Sequence, residues 1–139
     1  HSFENNPGLF YGSTHQWPAY PGTGAESETG CDGNIVNVPL PIGAGSVEFR
    51  AAYKRIILPA LRAFAPEMLI ISAGFDAHAR DPLAQLLVQT ADYAWVTEQL
   101  LDVASETCDG RVVSLLEGGY DLTALRESCQ VHVKALMNA

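Results

Sequence analysis

The sequence predicts an α/β fold built on a mostly parallel sheet of about four strands. In its later part, strand-like and helical segments alternate, which is typical of parallel strands joined by right-handed helical crossovers. Residues 68–72 are apolar on both faces, as in strands buried within a parallel sheet. Two strand-like runs end at glycines followed by Asp76 and Tyr120, and ligands bind at the carboxyl ends of such strands. The sequence therefore predicts a site at the sheet edge.

The first half contributes two strands and a long helix. Residues 9–13 predict a short buried strand, residues 14–34 a long loop rich in proline and glycine, and residues 35–40 a second strand. Ser46 is the expected N-cap of a helix whose apolar positions follow helical spacing. Pro59 should kink this helix, and Pro66 should end it.

The second half repeats the strand and helix alternation. Residues 68–72 are the third predicted strand and residues 111–116 the fourth. Thr90 is the expected cap of the helix between them. That helix should present Tyr93, Val96, Leu100 and Ala104 on one face. The apolar positions predicted for the last helix are Leu122, Leu125, Cys129, Val133 and Leu136.

Composition excludes several classes of partner. The 139 residues carry 16 acidic and 8 basic side chains, a net charge of −8, which argues against direct nucleic-acid binding. An acidic surface is compatible with a cationic substrate such as a lysine-rich tail or a polyamine, although plain solubility is the commoner reason for such a charge. No apolar run is long enough to cross a membrane. The 3 cysteines form no CxxC, which predicts free thiols and a cytoplasmic protein.

Three extended motifs stand out in the chain: residues 15–24 (HQWPAYPGTG), 72–86 (SAGFDAHARDPLAQL) and 116–121 (LEGGYD). In their order and spacings they resemble the zinc-dependent histone deacetylase family, most closely its class II and bacterial deacetylase-like amidohydrolase members. The resemblance covers essentially the whole chain. It implies the three-layer α/β sandwich of arginases and deacetylases, here in a partial version. Residues 1–139 are interpreted as the C-terminal portion of a deacetylase domain.

The resemblance also implies a role for individual residues. Asp76 matches a zinc ligand, and Tyr120 matches the phenol that hydrogen-bonds the substrate carbonyl. The residues that match the substrate site are Tyr20 and Leu83, as walls of the tunnel for the acyl-lysine stem, and Gly119. Potassium is implied at two places. One set comprises the backbone carbonyls of Ser13 and Thr14, and the other comprises Phe3, Asn6, Leu9 and Asn34.

One part of the family pattern is not in these 139 residues. The family's Asp-x-His ligand pair and its His-His dyad both precede the matching segment. The implied reaction, zinc-dependent removal of acetyl or other acyl groups from lysine side chains or related amines, therefore belongs to a complete protein. We expect the chain alone to hold zinc weakly and to show little deacetylase activity, because affinity depends on ligand number and geometry.

Other interpretations stay open at this point. The chain could be a truncated, non-catalytic deacetylase-fold module that acts in binding or oligomerisation, or an unrelated flavodoxin-like binding domain. Asp76 and His78 share a strand face and could form a local metal pair, which the resemblance does not support. Exposed apolar faces of residues 9–13 and 68–72 predict a dimer or higher oligomer.

Overall fold

The computed structural model describes residues 3–138. The strands in that range are β1 (Tyr11–Gln16), β2 (Ile35–Leu40), β3 (Leu69–Ala73) and β4 (Val112–Leu116). The α-helices are α1 (Ser46–Ala52), α2 (Leu58–Phe64), α3 (Thr90–Cys108) and α4 (Leu122–Met137). A π-helical turn, Tyr53–Ile57, joins α1 to α2, and a short 3-10 turn, Cys31–Gly33, precedes β2.

The strands form two parallel pairs. β1 pairs with β2 in a register that places Tyr11 opposite Ile35, and β3 pairs with β4 with Leu69 opposite Val112. The predicted strands and their parallel direction are confirmed. The single continuous sheet is not, since within residues 3–138 the two pairs are separate sheets. Apolar patterning indicates that a strand is buried, but it does not specify which strand pairs with it.

One hydrophobic cluster connects the two pairs. Leu40 of β2 and Leu69 of β3 belong to the same group of buried side chains as Leu61 of α2 and Val103 of α3. Burying a large apolar side chain contributes roughly 1.5–3 kcal/mol, so this shared cluster stabilises both pairs in one unit. The α3 face predicted from spacing is confirmed; its buried residues include Tyr93, Val96, Leu100 and Ala104.

The two predicted helix caps are each displaced by one residue. Gly45 and Gln89 are the N-caps, and Ser46 and Thr90 are the first helical residues. The Ser46 hydroxyl instead donates to the buried carboxylate of Asp92, which also accepts from the Gln89 N–H. A buried acid needs several donors, and this demand redirects a side chain that would otherwise cap its own helix.

The expected irregularity before Pro59 takes the form of the π-helical turn rather than a sharp kink at the proline itself. Pro59 is the second residue of α2, where its missing N–H is tolerated. The helix ends at Phe64, because Ala65 is left-handed with φ 53° and Pro66 follows it. The predicted stop at Pro66 is thus confirmed.

The apolar stripe predicted for α4 is confirmed only in part, since Leu125 and Cys129 are partly buried and pack against the hydrophobic core. The buried residues are Ala124, Ser128, His132 and Ala135. By contrast, Leu122 is 80% exposed and Val133 is 48% exposed. Sequence patterning treats serine and histidine as solvent-facing, but the His132 ring bonds to Thr97 of α3 and Ser114 of β4, so a polar stripe forms part of the interior face.

No helix in residues 3–138 combines the length and the apolar character that crossing a membrane requires.

Candidate functional site

Asp76 and the glycine turn before Tyr120 meet where β3 and β4 end. Beyond the strands, the Glu117 N–H donates to the Ala73 carbonyl at 3.1 Å and the Phe75 N–H donates to the Gly118 carbonyl at 2.8 Å. These bonds hold the segments that follow β3 and β4 side by side beyond the end of the sheet. A Cβ atom on Gly118 would lie 2.7 Å from Asp76 Cγ, so only glycine lets the turn approach this carboxylate.

The Asp76 carboxylate is partly buried, and among the described residues its hydrogen bonding is limited to its own backbone. Burial raises the pKa of this carboxyl, and the neighbouring Asp81 and Glu117 add to the rise. A group in this state fits an oxygen ligand for a cation, because a cation would offset the unfavourable charge. Within residues 3–138 there is no cluster of three or more potential metal ligands, so these residues alone do not supply a complete metal site.

Tyr120 is displayed outward from the turn. Its side chain is 56% exposed, while its N–H donates to Asp81 Oδ2 at 2.8 Å. Gly119 has φ 137°, and a Cβ there would lie 2.9 Å from Leu125 Cδ1. Both the backbone angle and the close packing therefore require glycine before the tyrosine.

Asp81, which the sequence interpretation missed, is the residue that holds this turn. Its carboxylate is 9% exposed and accepts from the Leu83 N–H at 2.9 Å as well as from Tyr120. One side chain therefore ties the loop that carries Leu83 to the turn that carries Tyr120. The Asp81-Pro82 dipeptide was the available signal, since an acid before proline favours a turn.

His78 does not form a metal pair with Asp76. Its Nδ1 accepts from the Arg80 N–H at 3.1 Å, which places the ring proton on Nε2, 3.1 Å from Thr90 Oγ1. Both ring nitrogens are therefore engaged inside the protein. Burial lowers the pKa of His78, and the nearby Arg80 lowers it further.

The residues matched to the substrate tunnel lie on two different loops. Leu83 is 68% exposed in the loop after β3, and Tyr20 is 98% exposed in the long loop after β1. Tyr20 helps to line an open cavity of about 400 Å³ against β1, whose lining, among the described residues, does not include Asp76, Leu83 or Tyr120. The Gln85 N–H donates to Gln16 Oε1 at 2.7 Å and so ties the loop after β3 to the last residue of β1, where the long loop begins.

The long loop itself is anchored by His15. Its Nδ1 lies 3.0 Å from Ser13 Oγ and its Nε2 lies 2.8 Å from the Gly24 carbonyl. His15 therefore connects β1 to the long loop that follows it.

The two residue groups matched to potassium are placed differently. Ser13 and Thr14 lie in the middle of β1, opposite Asn37 and Val38 of β2. The other four residues converge on one point. The side-chain nitrogen of Asn34 donates to the carbonyls of Phe3, Asn6 and Leu9 at 2.9, 3.0 and 2.8 Å.

A carboxylate and an exposed phenol at the carboxyl ends of two parallel strands define a candidate binding site of an α/β protein, since ligands bind at the strand ends of such sheets. Comparison with known proteins identifies the family. Residues 1–136 match the histone deacetylase domain. The chain is 41% identical to "Histone deacetylase 14, chloroplastic" of Arabidopsis thaliana and 40% identical to a "Probable deacetylase" of Archaeoglobus fulgidus, over 98% and 86% of its own length. The chain belongs to the histone deacetylase family.

Solved structures agree with the fold. The HDA15 HD domain is 38% identical and superposes with a TM-score of 0.87, and the histone deacetylase Clr3 is 33% identical with a TM-score of 0.90. These similarities cover 98% and 99% of this chain but 39% and 24% of those chains. Likewise, the chain spans 33% and 34% of the two relatives named above. The architecture is therefore a partial α/β deacetylase fold.

Proposed function

We propose that the intact protein is a zinc-dependent amidohydrolase that removes acetyl or related acyl groups from lysine side chains or polyamine-type amines. The observation that carries this proposal is the Asp76 carboxylate, which pairs with no other side chain of residues 3–138 and packs against the glycine turn that displays Tyr120. Family membership supports the reaction class, since the relatives' names describe deacetylases.

In this proposal Asp76 is one zinc ligand, and the remaining ligands come from outside residues 3–138. Zinc, when bound, supplies Lewis-acid polarisation of the scissile carbonyl and a nucleophile at neutral pH. The partly buried carboxylate fits a single oxygen ligand, because its charge is not offset by a hydrogen-bonded side chain among the described residues.

The other roles belong to the residues around the carboxylate. The Tyr120 phenol would donate a hydrogen bond to the substrate oxygen as negative charge develops there, a contribution of roughly 3 kcal/mol for one well-placed donor. Asp81 would keep the phenol in place through the Tyr120 backbone. The exposed side chains of Tyr20 and Leu83 would contact the apolar stem of the acyl-lysine, and Gly119 would leave room beside it.

A non-catalytic role in binding or oligomerisation is the second candidate. It is favoured by the lack of a cluster of three or more potential metal ligands within residues 3–138 and by exposed apolar side chains on the strand segments. Leu9, Tyr11, Met68 and Ile70 are 41%, 42%, 51% and 56% exposed. We propose that the isolated chain forms dimers or larger assemblies through this side. Light scattering at several concentrations tests this, and a strictly monomeric mass at high concentration contradicts it.

The activity test compares the intact protein with this chain alone. Each is assayed on an acetyl-lysine peptide and on an N-acetylated polyamine, with added zinc and with a chelator. We expect zinc-dependent turnover by the intact protein and background turnover by the chain. A zinc-loaded intact protein that hydrolyses neither substrate would favour the binding module. Chelator-sensitive turnover by the chain alone would show that the ligand assignment is wrong.

The compartment is a separate proposal. We propose a cytoplasmic protein, and the two plant relatives whose names carry the word chloroplastic supply the competing location. Imaging of the intact protein with a fluorescent C-terminal fusion distinguishes the two.

A further inference from the structure

Residues 3–9 wind so that carbonyls three residues apart face one point. The Asn6 N–H donates to the Phe3 carbonyl at 3.2 Å, and the Leu9 N–H donates to the Asn6 carbonyl at 3.1 Å. These consecutive turns place the oxygens of Phe3, Asn6 and Leu9 around the Asn34 side-chain nitrogen, at 2.9, 3.0 and 2.8 Å. We call these three oxygens the carbonyl ring.

A ring of carbonyl oxygens needs an electropositive group at its centre, because the aligned C=O dipoles repel one another. Potassium sites meet this need with a cation whose hydration shell is replaced by carbonyls. An amide nitrogen meets it with N–H groups, although it has two protons for the three acceptors present here. The Asn34 nitrogen and a cation would take the same position, so these residues, arranged in this way, do not fit potassium.

The orientation of the amide supports this conclusion. Asn34 is 4% exposed, and its Oδ1 has no hydrogen-bond partner within the described part of the chain. Turning the amide over would place a fourth oxygen in the ring, which is worse than leaving Oδ1 unpaired, so the hydrogen-bond network selects the nitrogen-inward orientation. Gly30 provides the space, since a Cβ there would lie 2.2 Å from Oδ1.

The same residues connect the start of the chain to β2. The Tyr11 N–H donates to the Asn34 carbonyl at 2.9 Å, and the Cys31 N–H donates to the Glu4 carbonyl at 2.7 Å. The amide thus belongs to a hydrogen-bond network that joins residues 3–9, the turn Cys31–Gly33 and the first residue pair of β1 and β2.

We propose that the Asn34 side-chain amide is a built-in substitute for a monovalent cation in the carbonyl ring. Residues 3–9 are then held against the start of β2 without potassium at this position. This inference does not depend on the proposed enzymatic activity, because none of its residues is assigned a part in the proposed reaction.

The first test is the Asn34→Asp variant of the intact protein. A carboxylate lacks the N–H groups, so in this variant only oxygens would surround the centre of the carbonyl ring. The variant should therefore bind a cation there. Thermal midpoints are measured in potassium chloride and in choline chloride at equal ionic strength. We expect potassium to raise the midpoint of Asn34→Asp by roughly 5 °C more than that of the unmodified protein.

The matched control is Asn5→Asp, which adds the same charge at an exposed position of the same segment. It should respond to potassium as the unmodified protein does. A potassium response of Asn34→Asp equal to that of Asn5→Asp would overturn the proposal.

A second measurement needs no variant. In the unmodified protein, the protons of the Asn34 side-chain NH₂ should exchange slowly with solvent. Their NMR signals should not shift when potassium replaces choline at about 100 mM, which is close to physiological ionic strength. If potassium shifts these signals or speeds their exchange, a cation displaces the amide and the proposal is wrong. This outcome is decisive even if Asn34→Asp does not fold.

Discussion

Two oxygen-lined places in this protein differ in how their negative charge is offset. In the carbonyl ring, the three oxygens lie 2.8–3.0 Å from the Asn34 side-chain nitrogen, which donates to them. At the end of β3, the Asp76 carboxylate receives no side-chain donor within residues 3–138, and its pKa is raised. The partial negative charge of the carbonyl ring is offset within the folded chain. The charged form of Asp76, by contrast, stays unfavourable unless a positively charged group binds beside it.

The difference separates a structural role from a functional one. A ring that is offset internally does not make folding depend on the ion concentration, because no ligand contributes to the stability of that segment. A carboxylate without a partner reduces stability, and such groups concentrate at functional sites. The comparison therefore supports the proposal that an external cation binds at Asp76 and not in the carbonyl ring.

The largest expected effect comes from substitutions at the candidate site itself. In the intact protein, Asp76→Ala should reduce bound zinc to background, because a ligand is lost. Tyr120→Phe should keep zinc and lower kcat by about 10²- to 10³-fold, because only an oxyanion donor is lost. Metal analysis with steady-state kinetics measures both. Equal zinc loss in the two variants would mean that Tyr120 has been assigned the wrong role.

The next effect concerns Asp81, which links the two loops of the site. Asp81→Asn replaces one accepting oxygen by an NH₂ group facing backbone N–H donors. We expect the free energy of unfolding to fall by about 1–3 kcal/mol, as for a buried donor left unpaired. Urea denaturation measures this change. The control Asp102→Asn, at an exposed position of α3, should change stability by less than about 0.5 kcal/mol.

A pH prediction tests the packing behind the site. His132 is buried between Thr97, Ser114 and the edge of Phe75, and burial lowers its pKa. The unfolded state therefore takes up a proton near pH 6.5 while the folded state does not, so stability falls as pH drops below about 6.5, by at most about 1.4 kcal/mol per pH unit. Urea midpoints between pH 7.5 and 5, roughly spanning this range, measure the loss.

His132→Gln supplies the comparison for that measurement. It should flatten the acid loss, since glutamine has no proton to take up in this range. An unchanged slope would show that other groups carry the acid sensitivity.

The smallest effect sharpens the comparison directly. Asp76→Asn removes the charge that lies near Asp81 and Glu117, so it should stabilise the zinc-free protein by up to about 1 kcal/mol. Asn34→Asp, in choline chloride, should destabilise the same protein. Urea midpoints in the presence of a chelator measure both. Destabilisation by Asp76→Asn would reveal a partner for the carboxylate and remove the contrast between the two places.

Much of the local structure could be predicted from particular sequence features. The buried run before Asp76 and the glycine pair before Tyr120 correctly indicated two strand ends and the turn that follows the second. The buried face of α3 followed from its spacing. The burial of Ser128 and His132 in α4 did not, because the partners of His132 come from α3 and β4 and no local pattern encodes them.

By itself, the sequence determined the α/β class, the four strand positions to within a few residues and the family. These depend on apolar periodicity, glycine conformation and extended motifs, which are local properties of the chain. Tertiary structure alone decided that the strands form two separate pairs, that Asp81 ties Leu83 to Tyr120, and that Asn34 fills the carbonyl ring. The physical reason is that a buried polar group takes whichever partner the folded chain brings within hydrogen-bond distance, however far apart the two residues lie in the sequence.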